Sequence, residues 1–150
     1  MGFWYDKALQ KRDKGQIDFS ADDLRILLVG TSTTVDTERD TEFISGFSTL
    51  DELTSVTNYS RKTLTSLAVS VDITNHESEI DADDVVWSSL GGTTDATIQA
   101  AVIYKHVTDD TDAIPLIYLD NGGASFNQTT NGGDVTINFA AEGYAKSGTC

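Results

Sequence analysis

The apolar residues of this chain fall into short blocks, most of them alternating with polar residues at a period of two. Leu67, Val69, Val71 and Ile73 alternate with Ala68, Ser70 and Asp72, which predicts a half-buried strand with the four larger residues facing a core. Val85-Val-Trp87, Leu116-Ile-Tyr-Leu119 and Val135-Thr-Ile-Asn-Phe139 read as further strands, and Ile98, Ala100, Val102 and Tyr104 share a face of another. Leu24-Arg-Ile-Leu-Leu-Val-Gly30 is the most apolar run; it is short and β-branched, so it reads as a strand buried on both faces. Pro115 sits where the next strand begins, the position a strand tolerates best.

Between these blocks lie turn signals. Asn75-His-Glu-Ser-Glu79, Gly91-Gly92, Thr108 to Asp112, Asn121-Gly-Gly123 and Asn131-Gly-Gly133 interrupt the pattern, the Asn-Gly pairs favouring positive φ. Helical spacing is confined to two places. Trp4 with Ala8 and Tyr5 with Leu9 make one stripe of a helix over about residues 3–14, with Lys11, Arg12 and Lys14 at its negative pole and Gly15 as its stop. Phe43, Ile44 and Phe47, followed by Ser48 and Asp51 in an N-cap pattern, predict one or two short helices near residues 40–53. Thr31 to Glu38 reads as polar loop. The expectation is one mainly β domain, a β-sandwich or jelly-roll-like barrel of about six strands. Its β core covers about residues 17–139, and a frayed tail occupies residues 140–150.

Charge narrows the partners. Ten Lys and Arg stand against 24 Asp and Glu, a formal net charge of −14, so phosphate backbones and anionic lipid surfaces are repelled. No nucleic-acid or membrane partner is expected, and no apolar run approaches the length of a membrane span. The N-terminus lacks the pattern of a signal peptide, and synthesis in the cytoplasm is the expectation. The single cysteine, Cys150, excludes an internal disulfide, so packing and strand pairing must supply the stability.

Catalytic chemistry finds few residues to carry it. His76 and His106 lie beside polar turns, the cysteine is at position 150, and neither a nucleophile elbow nor a phosphate-binding loop occurs. No zinc set exists, because one Cys and two distant His cannot supply four ligands. Asp81, Asp83 and Asp84, and again Asp109, Asp110 and Asp112, gather hard oxygen ligands that calcium favours, but neither group has the EF-hand spacing, and solvated turns account for both. The reading is therefore a non-enzymatic protein with no catalytic residue, no cofactor and no metal. For contacts, Phe3, Trp4 and Tyr5 place three aromatics together; they read either as cover for the core or as a partner interface.

Several runs, taken in order, resemble small virion proteins of tailed bacteriophages. They are Lys7-Ala-Leu9, Gly15-Gln-Ile-Asp-Phe19, Leu24 to Val29, Asp81-Ala-Asp-Asp-Val-Val-Trp87, Ala101-Val-Ile-Tyr-Lys105, Pro115-Leu-Ile-Tyr-Leu-Asp120 and Asn131 to Phe139. The resemblance implies a mainly β structural component of the particle, located in the virion after assembly in the host cytoplasm. Small size and acidity suit a capsid cement or decoration protein, a viral structural protein that binds the major capsid protein or other virion proteins as a homo-oligomer, dimer or trimer. The alternatives are a tail or head-fibre component, and a carbohydrate-binding adhesin domain, which requires Trp87 or Tyr118 to point outward.

Overall fold

The computed structural model describes residues 2–120, 126–140 and 143–147. It is mainly β: about 35% of the residues are in strands and 8% in helical turns, with several antiparallel sheets and one α-helix. The main sheet has five antiparallel strands in the order β1 (Phe3–Trp4), β9 (Ile114–Leu119), β8 (Ala100–Lys105), β2 (Leu24–Val29) and β3 (Lys62–Thr63). A three-stranded sheet places β5 (Glu77–Asp81) between β12 (Ala145–Ser147) and β4 (Ala68–Asp72). Two small ribbons pair β6 (Val85–Trp87) with β11 (Val135–Ile137), and β7 (Thr97–Ile98) with β10 (Gln128–Thr129).

The buried apolar residues form one contiguous core. Its centre is β2, β8 and β9, whose runs Ile26 to Val29, Ala100 to Tyr104 and Ile114 to Tyr118 are buried residue after residue. A sheet strand with successive residues buried has cover on both faces, which is why these three read as continuous apolar blocks. The helix α1 (Asp6–Asp13) packs on β9 and buries Ala8. Trp87 is fully buried and its indole N–H donates to the Ser60 carbonyl at 2.7 Å. Pro115 lies at a register shift: Ile103 faces Ile117 while Tyr104 faces Pro115, leaving Leu116 as the extra residue of a bulge. On its other side β9 continues its pairing with β1, the Leu116 carbonyl accepting from the Tyr5 amide at 3.0 Å.

Several expectations need correction. The N-terminal helix begins at Asp6 rather than near residue 3, because Phe3 and Trp4 are extended and pair with Tyr118 and Ile117 of β9. Helical structure near residues 40–53 is a single 3-10 turn, Ile44–Gly46. Asp51 starts no helix: its φ is +49°, and its carboxylate accepts from the Ser32 amide at 2.8 Å. Residues 77–79, read as turn, begin strand β5; Glu77, Glu79 and Asp81 alternate with Ser78 and Ile80, a period-two pattern hidden by its high polarity. In the tail, Ala145 to Ser147 pair with Ile80 to Ser78 as β12 instead of fraying. The turn predicted at residues 121–123 and Cys150 lie outside the described residues, apart from Asp120, which precedes the turn.

The predicted turn at Asn131 is present. Gly132 has φ +86° and packs backbone to backbone against Gly92, whose φ is +91°; a Cβ on either would come within 3.1–3.3 Å of the other's Cα. These two loops meet only because neither carries a side chain there.

Candidate interaction surface

Phe3, Trp4 and Tyr5 are drawn into the body of the protein. Tyr5 is wholly buried, its hydroxyl donating to the Val35 carbonyl at 2.9 Å, and burial pushes its phenol pKa far up. Phe3 stacks on Tyr118 with ring centroids 4.8 Å apart, and the Arg39 guanidinium lies 4.4 Å from its ring centre. Trp4 meets Phe19 edge-on at 5.5 Å and Arg12 at 5.2 Å, and its indole N–H donates to the Lys146 carbonyl at 3.3 Å. This removes Tyr5 from the proposed partner interface. Phe3 and Trp4 are half-buried and tie β1 and α1 to the sheet and to β12.

The acidic clusters are likewise occupied by structural work. Asp83 accepts from the Ser66 and Thr65 hydroxyls at 2.6 and 2.9 Å, Asp81 from the Ala82 amide, and Asp84 from the Phe139 amide. Asp112 caps the turn through the Thr108 and Asp109 amides. Among the described residues, no group of three or more His, Cys, Asp or Glu is placed to hold a metal ion.

One polar constellation escaped the sequence reading. Arg61 bridges two carboxylates, donating to both oxygens of Glu52 at 2.8 and 2.6 Å and to both of Asp110 at 2.5 and 2.9 Å. Its guanidinium lies 5.2 Å from the Tyr104 ring centre, and the Tyr59 hydroxyl donates to Glu52 at 2.8 Å while accepting from the Leu28 amide. Two carboxylates are thus brought together, with the arginine forking between them through charge-assisted hydrogen bonds to each. The hydrogen bonds from Arg61 to Glu52, opposed by burial and aided by Asp110, raise the arginine pKa further. The cluster works as a junction joining β2, β8, the segment at Glu52 that forms an isolated bridge with Val29, and the turn at Asp110.

An apolar groove of about 450 Å³ runs between β1 and β12, lined by Phe3, Trp4, Ile117, Leu119, Tyr144 and Ala145.

The outstanding surface is β4. Val69, Val71 and Ile73, expected to face the core, are 50%, 71% and 79% exposed. Ala68 and Ser70 on the opposite face are exposed as well. Their exposure is not looseness, because the hairpin is pinned at both ends. At its base Asp83 holds the Thr65 and Ser66 hydroxyls, and the Asp83 amide donates to the Thr65 carbonyl at 2.9 Å. At its tip Asp72 accepts from the Thr74 and Asn75 amides and from the Asn75 side chain at 2.6 Å. The strand pairs with β5 without a break from Ala68 to Asp72, and its other edge has no strand beside it among the described residues. On the far side of β5, Lys146 of β12 sits 3.2 Å from Glu77 and 3.9 Å from Glu79. The result is a rigid ribbon with an apolar stripe and an open edge. Its alternation was visible in the sequence; that it overhangs the body rather than packing on it was not.

Comparison with protein-family models, with curated proteins and with solved structures returned no match. What the chain does is therefore argued from its own surfaces.

Proposed function

We propose that this chain is a non-catalytic structural component of a tailed-phage virion, a capsid cement or decoration protein that binds across neighbouring capsid subunits. The observation that carries the proposal is the uncovered stripe Val69, Val71 and Ile73 on a hairpin whose base and turn are both closed by hydrogen bonds. Apolar residues aligned on an open strand edge mark a contact surface, because soluble monomers ordinarily blunt such edges with charge, proline or a bulge. The order of sequence runs that resembles small phage virion proteins supports the virion reading, and the net charge of −14 suits a role outside the shell, away from packaged nucleic acid.

The adhesin reading is less favoured. Trp87 is fully buried and Tyr118 is 3% exposed, so neither offers a platform to a sugar ring. A tail or head-fibre component would use the same strand at another position in the particle.

Cryo-electron microscopy of the virion tests the proposal. Density for this fold repeated over the joints between capsid subunits is the expected result. Density confined to the tail or a fibre would overturn the cement assignment, and absence of the chain from the particle would overturn the virion reading altogether.

A further inference from the structure

We infer that two copies of this chain pair through the free edge of β4, antiparallel about a two-fold axis, so that their three-stranded sheets join into one of six strands. The inference rests on the reading of β4 as a contact surface and names what pairs with its open edge.

The edge is open and lightly guarded, its one charged side chain being Asp72 at the tip. Residues 63–71 contain no charged side chain and no proline, and the pairing of β4 with β5 has no bulge to twist the edge away. In a chain of net charge −14 this is the stretch where two copies can approach without bringing carboxylates face to face. A basic partner would find little to hold. Asp72, the one acid on β4, is engaged by the Thr74 and Asn75 amides and the Asn75 side chain, while Glu77 and Glu79 are paired with Lys146 across the sheet. The complement of a neutral, alternating apolar strand is another such strand, and this chain supplies one.

The register is self-consistent. With Ser70 on the axis, Val69 of each copy lies across from Val71 of the other, and Ala68 lies across from Asp72. Both valine pairs then stand on the same face, where cross-strand β-branched pairs stabilise best, and no like charges oppose. Five residues of edge are short against the roughly 800 Å² per partner of a stable interface, so the pairing is reversible and depends on concentration.

Sedimentation of the full-length chain, from about 1 µM to about 1 mM, reads the equilibrium directly. The expected result is a monomer that becomes a dimer with concentration, and more readily in about 0.5 M than in about 0.05 M NaCl as the repulsion between acidic copies is screened. Val71→Lys is expected to hold the chain monomeric while its circular dichroism and melting temperature stay unchanged. Hydrogen exchange at alternate β4 amides should slow at least tenfold at high concentration in the parent and not in Val71→Lys. A monomer at every concentration and salt, a dimer that Val71→Lys leaves intact, or association that weakens with salt would each overturn the inference. Binding of both proteins to shells lacking this chain separates the two levels. A monomeric parent whose shell binding is lost on Val71→Lys overturns self-pairing and leaves β4 as a shell contact; shell binding untouched by Val71→Lys in a monomeric parent removes both.

Discussion

Val69 stands directly across from Ile80 in the β4–β5 pair, yet Val69 is half exposed and Ile80 is 3% exposed. Residues opposite one another on antiparallel strands point to the same face, so the face that covers the core at β5 has already left it at β4. The outermost strand of this sheet overhangs the body, and its apolar stripe is a surface rather than part of the core.

That placement predicts an asymmetry between residues of similar chemistry. Ile73→Ser, in a side chain 79% exposed, should change the unfolding free energy by no more than about 0.5 kcal/mol at dilution. Ile103→Ala, at a fully buried position of β8, should cost about 3 kcal/mol. Urea denaturation of the two variants beside the parent checks both.

The arginine junction should be among the most sensitive polar sites. Removing Arg61 leaves Glu52, whose side chain is 9% exposed, charged and without its partner. Arg61→Ala is expected to destabilise by about 3 kcal/mol. Asp110→Asn should cost no more than about 1 kcal/mol, since that side chain is 40% exposed and screened by solvent. Equal losses in chemical denaturation of the two variants would refute this ranking.

Gly91 combines a φ of +86° with a crowded site, where a Cβ would collide with the Asp95 carboxylate and the Thr130 side chain. Gly91→Ala should therefore lower stability by about 2 kcal/mol. Gly15, with φ +68° and open space around it, bears the backbone cost alone, so Gly15→Ala should melt closer to the parent. Differential scanning calorimetry gives the order.

Acid should act on the β4–β5 hairpin through two carboxylates. Ser66 and then Thr65 hold the Asp83 carboxyl below the usual aspartate range; the Asn75 amide and side chain, with the Thr74 amide, do the same for Asp72. A carboxyl with its folded pKa depressed stabilises fully above the unfolded value, near 3.8, and loses that contribution as the pH falls through the lower folded value. Melting temperature should drop below pH 4, and the drop should be shallower for Asp83→Asn, which has no proton to take up. An identical acid slope in that variant would show that Asp83 does not contribute.

Much of the fold is legible in the chain. Leu24 to Val29 reads as a doubly covered strand because its burial demands apolar residues in succession. The start of the chain misleads, since helical spacing of Trp4 to Ala8 and Tyr5 to Leu9 says nothing of a partner strand more than a hundred positions away. Strand β5 is masked by Glu77 and Glu79, whose outward face is matched by Lys146 of a strand that sequence alone does not place beside it. The exposed stripe was half legible: the alternation of Val69, Val71 and Ile73 is plain, but alternation alone does not say whether that face packs on the body of the molecule.

Strand β1 closes on β9, and the Trp4 indole reaches the Lys146 carbonyl across 142 positions. A ribosome adding about 5–20 residues per second needs on the order of ten seconds between making Trp4 and releasing its partners on β9. Through that interval Phe3 and Trp4 lack the strand they pair with, and Phe3 lacks the Tyr118 ring it stacks on, so the nascent protein passes through a period of partial aromatic exposure that its finished form conceals. Amino-terminal fragments that stop before residue 114 should for that reason be caught by chaperones, while the completed chain escapes them.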